Sequence, residues 1–260
     1  MENPRILRVR HLLPPVTKFL TCSIKQQYGK KNHVEIPGIM IVILAAFSWY
    51  YICTMKSADA QTSIEPLLNY FDRLIPLSKE EKEMVTEKFH PRLFRKRQYV
   101  LQEGDVCTQF YFVVRGCLRM YKIDDKGNTH ILQFAAENYW INDLGSFHGV
   151  KSSALNIDAL EDTVVLQISR DDLISLYILA PKFDRIFRVL LENSFVRLQE
   201  RLLQNISSTA EERYQSFLEI YPYLVNRLSQ VQIASFLGIT PEFLSRLRNR
   251  RSKTSKPSKS

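Results

Sequence analysis

The tightest constraint on how this 260-residue chain can fold lies near its end, in Leu228–Lys253, LSQVQIASFLGITPEFLSRLRNRRSK. Gln230 to Leu237 has the apolar spacing of one short helix, with Ile233, Phe236 and Leu237 inward. Ala234 is small enough to let a second helix approach closely. Gly238 can take the left-handed conformation that ends a helix. Ile239 packs into the angle, Thr240 can cap a following helix, and Pro241 suits its first position. In that second helix Phe243, Leu244 and Leu247 are expected to face the core. Glu242, Ser245, Arg246, Arg248 and Asn249 are expected to stay exposed. This is a helix-turn-helix layout, whose second helix offers side chains from its first turns. An arginine there can pair with guanine O6 and N7, and a glutamate can accept from cytosine N4. The candidate DNA-binding residues are therefore Thr240, Pro241, Glu242, Ser245, Arg246, Arg248 and Asn249, with Arg250, Arg251 and Lys253 placed to meet phosphates. A solvated helical hairpin is the competing reading.

Charge supports a polyanion partner. Residues 56 to 245 carry 22 basic and 25 acidic side chains, whereas Arg246 to Lys259 holds seven basic residues and no acidic one. A basic end on a slightly acidic body fits nucleic acid, although a solubilising tail would look the same. Cys22, Cys53, Cys107 and Cys117 form no C-x2-C pair, and the chain has five histidines. No metal site is expected, no cofactor is implied, and unpaired thiols suit a reducing cytoplasm. No histidine pair or activated nucleophile recurs at useful spacing, so an enzyme is not expected.

Ahead of this segment the text changes period twice. Ile64 to Ile75 and Ser78 to Phe89 read as helices, the second opened by Ser78 and Glu81 as a capping box. Short strands are expected at Tyr99–Leu101, Gln109–Val114, Cys117–Ile123, Thr129–Phe134, Asn156–Leu160 and Thr163–Ile168. Turn signals separate several of them, among them Gly104, Gly116 and Gly127. Many short strands without intervening helices imply an antiparallel sandwich or jelly-roll barrel. Helical text resumes at Arg170 to Leu179, and Pro181 opens a long run to about Asn205. Phe183, Phe187, Leu190, Leu191, Phe195, Leu198 and Leu202 lie largely on one side of that run. Arg185, Glu192, Arg197, Gln199 and Arg201 take much of the rest. Some 24 residues of helix extend ~36 Å, too long for one small barrel to cover. Pairing with the same helix of a second chain is expected, against intrachain packing as the alternative. Ser208-Thr209-Ala210-Glu211 resembles another capping box, before a helix with Tyr214, Phe217, Leu218 and Tyr221 inward.

The first 55 residues pose a separate problem. Ile36 to Met55 carries no charge and is long enough to span a bilayer. Seven basic residues precede it, so the positive-inside rule would send everything after Met55 outside. That conflicts with DNA binding. The segment is an anchor of unusual topology, a buried helix, or a stretch upstream of a true start at Met55. The third is favoured, because MKSADAQTSIEPLLNYF reads as an ordinary soluble amino terminus.

From about Ile64 to Lys253 the chain resembles the cyclic-AMP receptor protein and fumarate-nitrate regulator (Crp/Fnr) family of bacterial transcription factors. IASFLGITPEFLSRLR matches that family's helix-turn-helix without a gap, and YFVVRGCLRMYKIDDKGNTHILQFAAENYW matches its barrel. The resemblance implies an α+β fold: an N-terminal cyclic-nucleotide-binding-like β jelly-roll barrel, a long dimerisation helix and a C-terminal winged helix-turn-helix. The expected division is a 1–55 extension, a 56–169 sensor barrel, a 170–205 linker and dimerisation helix, and a 206–260 DNA-binding domain with a basic tail. The resemblance places Glu242 and Arg246 at the base-reading positions. Pro241 stands where the family often has arginine, so a different operator is implied.

The nucleotide pocket departs from the family. The G-E-L-type segment becomes Asn142-Asp143-Leu144, whose Asp143 could still accept from a ribose hydroxyl. The R-S-A or R-T-A segment becomes Ser152-Ser153-Ala154, with Ser152 in place of the phosphate-binding arginine. A buried phosphate left uncompensated is costly. Cyclic AMP is therefore not the expected effector, and the iron-sulfur cysteines of the oxygen-sensing members are missing. The combined expectation is a cytoplasmic, homodimeric regulator on an inverted-repeat operator, meeting RNA polymerase if it activates, with no membrane partner. A membrane-tethered ligand-binding regulatory module is the alternative.

Overall fold

The computed structural model describes residues 63–254, with side chains to residue 250. The apolar span Ile36–Met55, the expected start at Met55 and the end of the basic tail lie outside the described residues. Within them, no helix is long and apolar enough to cross a membrane.

Two helices, α1 (Glu65–Leu74) and α2 (Lys79–Lys88), lead into eight strands. Ser78 caps α2 with the reciprocal Glu81 contact expected from sequence. The strands are β1 (His90–Phe94), β2 (Tyr99–Leu101), β3 (Gln109–Arg115), β4 (Leu118–Ile123), β5 (Thr129–Ala135), β6 (Trp140–Ile141), β7 (Asn156–Ala159) and β8 (Thr163–Ser169). They form two four-stranded antiparallel sheets, in the orders β1-β8-β3-β6 and β2-β7-β4-β5. Six strands fall where alternation and turn residues place them. Strand β1 carries a proline, and β6 has two residues, too few for a period to show.

The barrel core is aromatic. Trp140 lies 5.0 Å from both Phe110 and Phe112 and 6.0 Å, stacked, from Phe71, measured between ring centroids. Helix α1 thereby seals one end of the sandwich with Leu67, Leu68 and Phe71. A fully buried leucine or phenylalanine contributes about 1.5–3 kcal/mol, so this cluster is a major part of the stability.

A short helix α3 (Leu144–Gly149) interrupts the strands, followed after β8 by α4 (Arg170–Leu179) and the long α5 (Lys182–Ser207). The first turns of α5 correct the sequence reading. Phe183, Phe187 and Leu190, expected at a dimer interface, are buried with Ile186 in the chain's own core. Phe187 packs 5.6 Å from Trp140. Their apolar surface is used within the chain, so they do not face a partner.

The C-terminal region holds α6 (Ala210–Ile220), α7 (Gln230–Leu237) and α8 (Pro241–Thr254). The α6 cap is Thr209 with Glu212, one residue later than Ser208 with Glu211. Among the described residues no strand accompanies these helices, so the expected wing does not appear there. Tyr221–Leu228 is instead a run of turns, closed by Leu224 N–H to Tyr221 O and Leu228 N–H to Leu224 O at 3.0 Å each, with Leu224 buried.

Gly116, between β3 and β4, has φ +98°, and a Cβ there would lie 2.5 Å from Thr163 Oγ1 and 2.8 Å from the Asp162 carbonyl oxygen. Gly127 has φ +82° but meets nothing within 4 Å. Gly116→Ala should therefore cost roughly 2–5 kcal/mol, strain and overpacking together. Gly127→Ala should cost about 1–2 kcal/mol, from backbone conformation alone. Urea unfolding of both variants measures the difference. Equal losses would show that the Gly116–Thr163 approach does not constrain the barrel.

Candidate nucleic-acid interface and effector groove

The sequence builds the α7–turn–α8 unit through its caps. Ser229 accepts from Gln232 N–H, and the Gln232 side chain returns to Ser229. Gly238 ends α7 at φ 68°, ψ 34°, the left-handed geometry that suits glycine. Thr240 Oγ1 accepts from Phe243 N–H at 3.2 Å and so opens α8. Ile233, Ala234 and Leu237 of α7 bury against Leu244 and Leu247 of α8.

The opposite side of α8 is presented outward. Thr240, Glu242, Arg246, Asn249 and Arg250 are exposed, while Pro241, Ser245 and Arg248 are half-buried. Arg251 and Lys253 lie on the same helix beyond the last described side chain. Phe243, expected in the core, is 37% exposed. Leu244 and Leu247 occupy the inward positions, and one residue back along a helix is a rotation of about 100°. The Phe243 ring instead carries the Arg246 guanidinium, 5.5 Å from its centroid. Its own backbone N–H and the Thr240 side chain hold the Glu242 carboxyl below the usual glutamate range, with Arg246 adding to the effect. Glu242 is thus an acceptor at neutral pH.

The helix-turn-helix is seated on the barrel. Tyr214, Phe217, Leu224 and Leu228 share one buried cluster with Cys117, Tyr121, Ile131, Phe134 and Ala136 of the β4–β5 region. Polar clasps flank this seam. Ser235 Oγ donates to the Thr129 carbonyl and accepts from Ile131 N–H at 3.2 Å. Arg227 donates to both Glu137 oxygens, at 2.9 and 3.0 Å, and to Glu161. Arg201 of α5 donates to the carbonyls of Leu132, Ile131 (3.0 Å) and Phe236 (3.1 Å). From sequence, Arg201 is part of a solvated face; here it is half-buried and joins three elements. Its distant partners leave no local sequence signal.

A groove of about 770 Å³ runs between the barrel, α5 and the C-terminal helices. Asn142, Asp143 and Leu144 line it, but Ser152 and Ser153 do not. The segment after α3 is not a regular strand: Ser152 is exposed and makes an isolated bridge to Val106. Ser153 is buried, donating to Asp143 Oδ2 at 2.7 Å. Asp143 Oδ1 also caps α3, accepting from Ser146 N–H at 3.1 Å. The acidic residue expected to meet a ribose is thus engaged in holding its own loop. The Lys151 stem lies over Gly149 and Gly145, where a Cβ would meet it at 3.6 and 4.0 Å.

Residues 91–178 match the family model of the cyclic nucleotide-binding domain. The Anaerobic regulatory protein of Pasteurella multocida is 26% identical over 198 residues, covering 68% of this chain and 69% of that protein. The chain spans about two thirds of the length of the curated relatives it matches. The solved structure of FixK2 from Bradyrhizobium japonicum aligns with a TM-score of 0.57 at 23% identity, covering 64% of this chain and 85% of that one. A putative regulator of the Crp/Fnr family from Eubacterium rectale aligns at 0.55 and 20%, covering 71% and 88%. Residues 91–178 thus form a cyclic nucleotide-binding-type domain, and the chain shares its fold with FixK2 and the Crp/Fnr-family structure. Its barrel, long helix and C-terminal helices follow the order of the Crp/Fnr fold.

The Arg227 clasp carries a pH signature. Burial alone would raise the Glu137 carboxyl, but the Arg227 guanidinium and the backbone N–H groups of Glu137 and Gly116 together outweigh it and hold the group below its ordinary 4.5. A carboxyl depressed on folding stabilises fully above its unfolded value and loses that contribution as pH falls through the folded one. Wild type should therefore lose stability below pH 4.5. Arg227→Ala should show a shallower loss over the same window. Thermal melts across an acid series measure the slopes, and parallel slopes would remove Glu137 from the account.

Proposed function

We propose that this chain is a homodimeric, sequence-specific transcription regulator that reads double-stranded DNA with α8. The carrying observation is the outward face of α8, with Glu242 and Arg246 on the first turns of a capped helix behind a glycine turn. That is the geometry with which a helix-turn-helix meets base edges in the major groove. The names of the relatives, an anaerobic regulatory protein and an electron transport regulator, support a regulatory role. In this reading residues 56–169 sense, 170–205 link and dimerise, and 206–260 bind DNA. RNA polymerase is the further partner if the protein activates.

The homodimer rests on the second half of α5. Leu191, Phe195, Leu198 and Leu202 recur at spacings of four, three and four, the spacing of a coiled-coil seam. They are 37%, 60%, 62% and 58% exposed, an apolar stripe on a single chain. Leu203 and Ile206 widen it. Phe195→Asp with Leu198→Asp should give a folded monomer by sedimentation equilibrium. A wild-type monomer at micromolar concentration would defeat the dimer.

Paired helices would set two copies of α8 about one DNA turn apart, ~34 Å, so the operator is an inverted repeat. Arg246 reads a base edge and Glu242 assists it. The basic residues from Arg250 onward neutralise phosphates. Arg246→Ala should cost about 1–3 kcal/mol of discrimination per half-site between cognate and scrambled duplex. Arg251→Ala should weaken both duplexes alike and flatten the salt dependence. Equal weakening by Arg246→Ala would make Arg246 a phosphate contact.

The effector in this reading is not cyclic AMP. Ser152 brings no positive charge, and neither Ser152 nor Ser153 lines the groove. Calorimetric titration with cyclic AMP should show no saturation in the micromolar range, and saturation there would mean that another cation holds the phosphate.

A further inference from the structure

The groove contains an arginine pair that the body of the protein does not neutralise. Arg197 and Arg201 stand four residues apart on α5, so their side chains share a helix face. Both line the large groove and an adjoining crevice of about 80 Å³ between α5 and the C-terminal helices, with Tyr221 and Phe236. Arg201 is satisfied by three neutral carbonyls and by the Phe236 ring, 4.1 Å from its centroid. Arg197 donates to Ser194 Oγ at 3.0 Å. Among the described residues neither arginine forms an ion pair. Glu200 lines the crevice but pairs with neither, and Asp143, across the groove, is held by Ser146 and Ser153. Burial pushes the Arg201 guanidinium below the usual arginine range, the effect expected of a cation drawn from water without a counter-charge. The rest of the groove is largely apolar, with Met120, Leu132, Trp140 and Leu190 on its walls, and it is bordered by Leu191, Phe195, Leu198 and Leu202, the stripe assigned above to the dimer.

We propose that this groove binds an amphipathic anion, its acidic head between Arg197 and Arg201 and its apolar body against Met120, Leu132 and Trp140. An acidic head gains charge-assisted hydrogen bonds where the protein supplies only neutral acceptors. This places the anion on α5, away from the barrel segment 152–154 that the family resemblance assigns to a cyclic phosphate. It also gives the ligand a route to α8. A head that engages Arg201 competes with the Phe236 carbonyl at the end of α7, and so loosens one clasp between the helix-turn-helix and the barrel. The site stands by itself; its effect on DNA rests on the regulator reading above.

Isothermal titration of the full chain without DNA tests the site. Decanoate is the probe, decanol the uncharged chain of equal length, and inorganic phosphate a head without a body. Decanoate should saturate about tenfold or more tighter than decanol, the worth of hydrogen bonds to a charged group, and phosphate should not saturate. Arg197→Gln, at an exposed position where folding is not at risk, should remove most of that preference, as should Arg201→Lys. No decanoate binding, equal affinity for decanol, phosphate binding tighter than decanoate, or an undiminished preference in Arg197→Gln would each overturn the proposal. Binding of an inverted-repeat duplex, measured separately, keeps the two readings apart. Decanoate binding without DNA binding would sink the regulator and leave the site, and the reverse result would sink the site alone.

Discussion

The anchoring of α5 in the barrel is the constraint on which the rest of the structure depends. Phe183, Ile186, Phe187 and Leu190 occupy the core beside Trp140, so the helix leaves the barrel in a fixed direction. Its later turns have no such cover and carry Leu198, Leu202 and Ile206 into solvent. One helix thus has two regimes, a buried start that fixes it and a remainder that leaves apolar side chains exposed on the single chain. Freeing the first regime would cost several buried side chains at about 1.5–3 kcal/mol each.

A second constraint follows from the seam between β4–β5 and the C-terminal helices. It is one continuous apolar cluster, so the helix-turn-helix does not hang from a free linker. Its polar clasps differ in kind. Arg227 meets two carboxylates, which is strong and sensitive to acid. Arg201 meets carbonyls and an aromatic ring, which leaves its charge available to a better partner. The two arginines therefore hold the helix-turn-helix by different chemistry.

The pocket departs in its chemistry from the one that the family resemblance implies. Asn142, Asp143 and Leu144 border the cavity, but Asp143 caps α3 and holds Ser153. Without an arginine in segment 152–154, the positive charge near the groove comes from α5 instead. The groove remains beside the long helix that joins the two ends of the chain.

The sequence by itself determined the local elements and their order. Period-two strands, the Ser78 and Ser229 caps and the Gly238 turn depend on neighbours within a few residues, and such interactions are written in adjacent letters. Apolarity alone misplaces a residue locally: Phe243 reads as inward, although Leu244 and Leu247 occupy that face. Tertiary structure decided how the long helix divides its apolar residues, because only the packed barrel shows where its surface ends. It also decided the partners of Arg201 and Arg227, which lie 35 to 90 residues away. A charged residue on a helix reads as solvated until the fold brings carbonyls and carboxylates to it, and no helical or strand period encodes that approach.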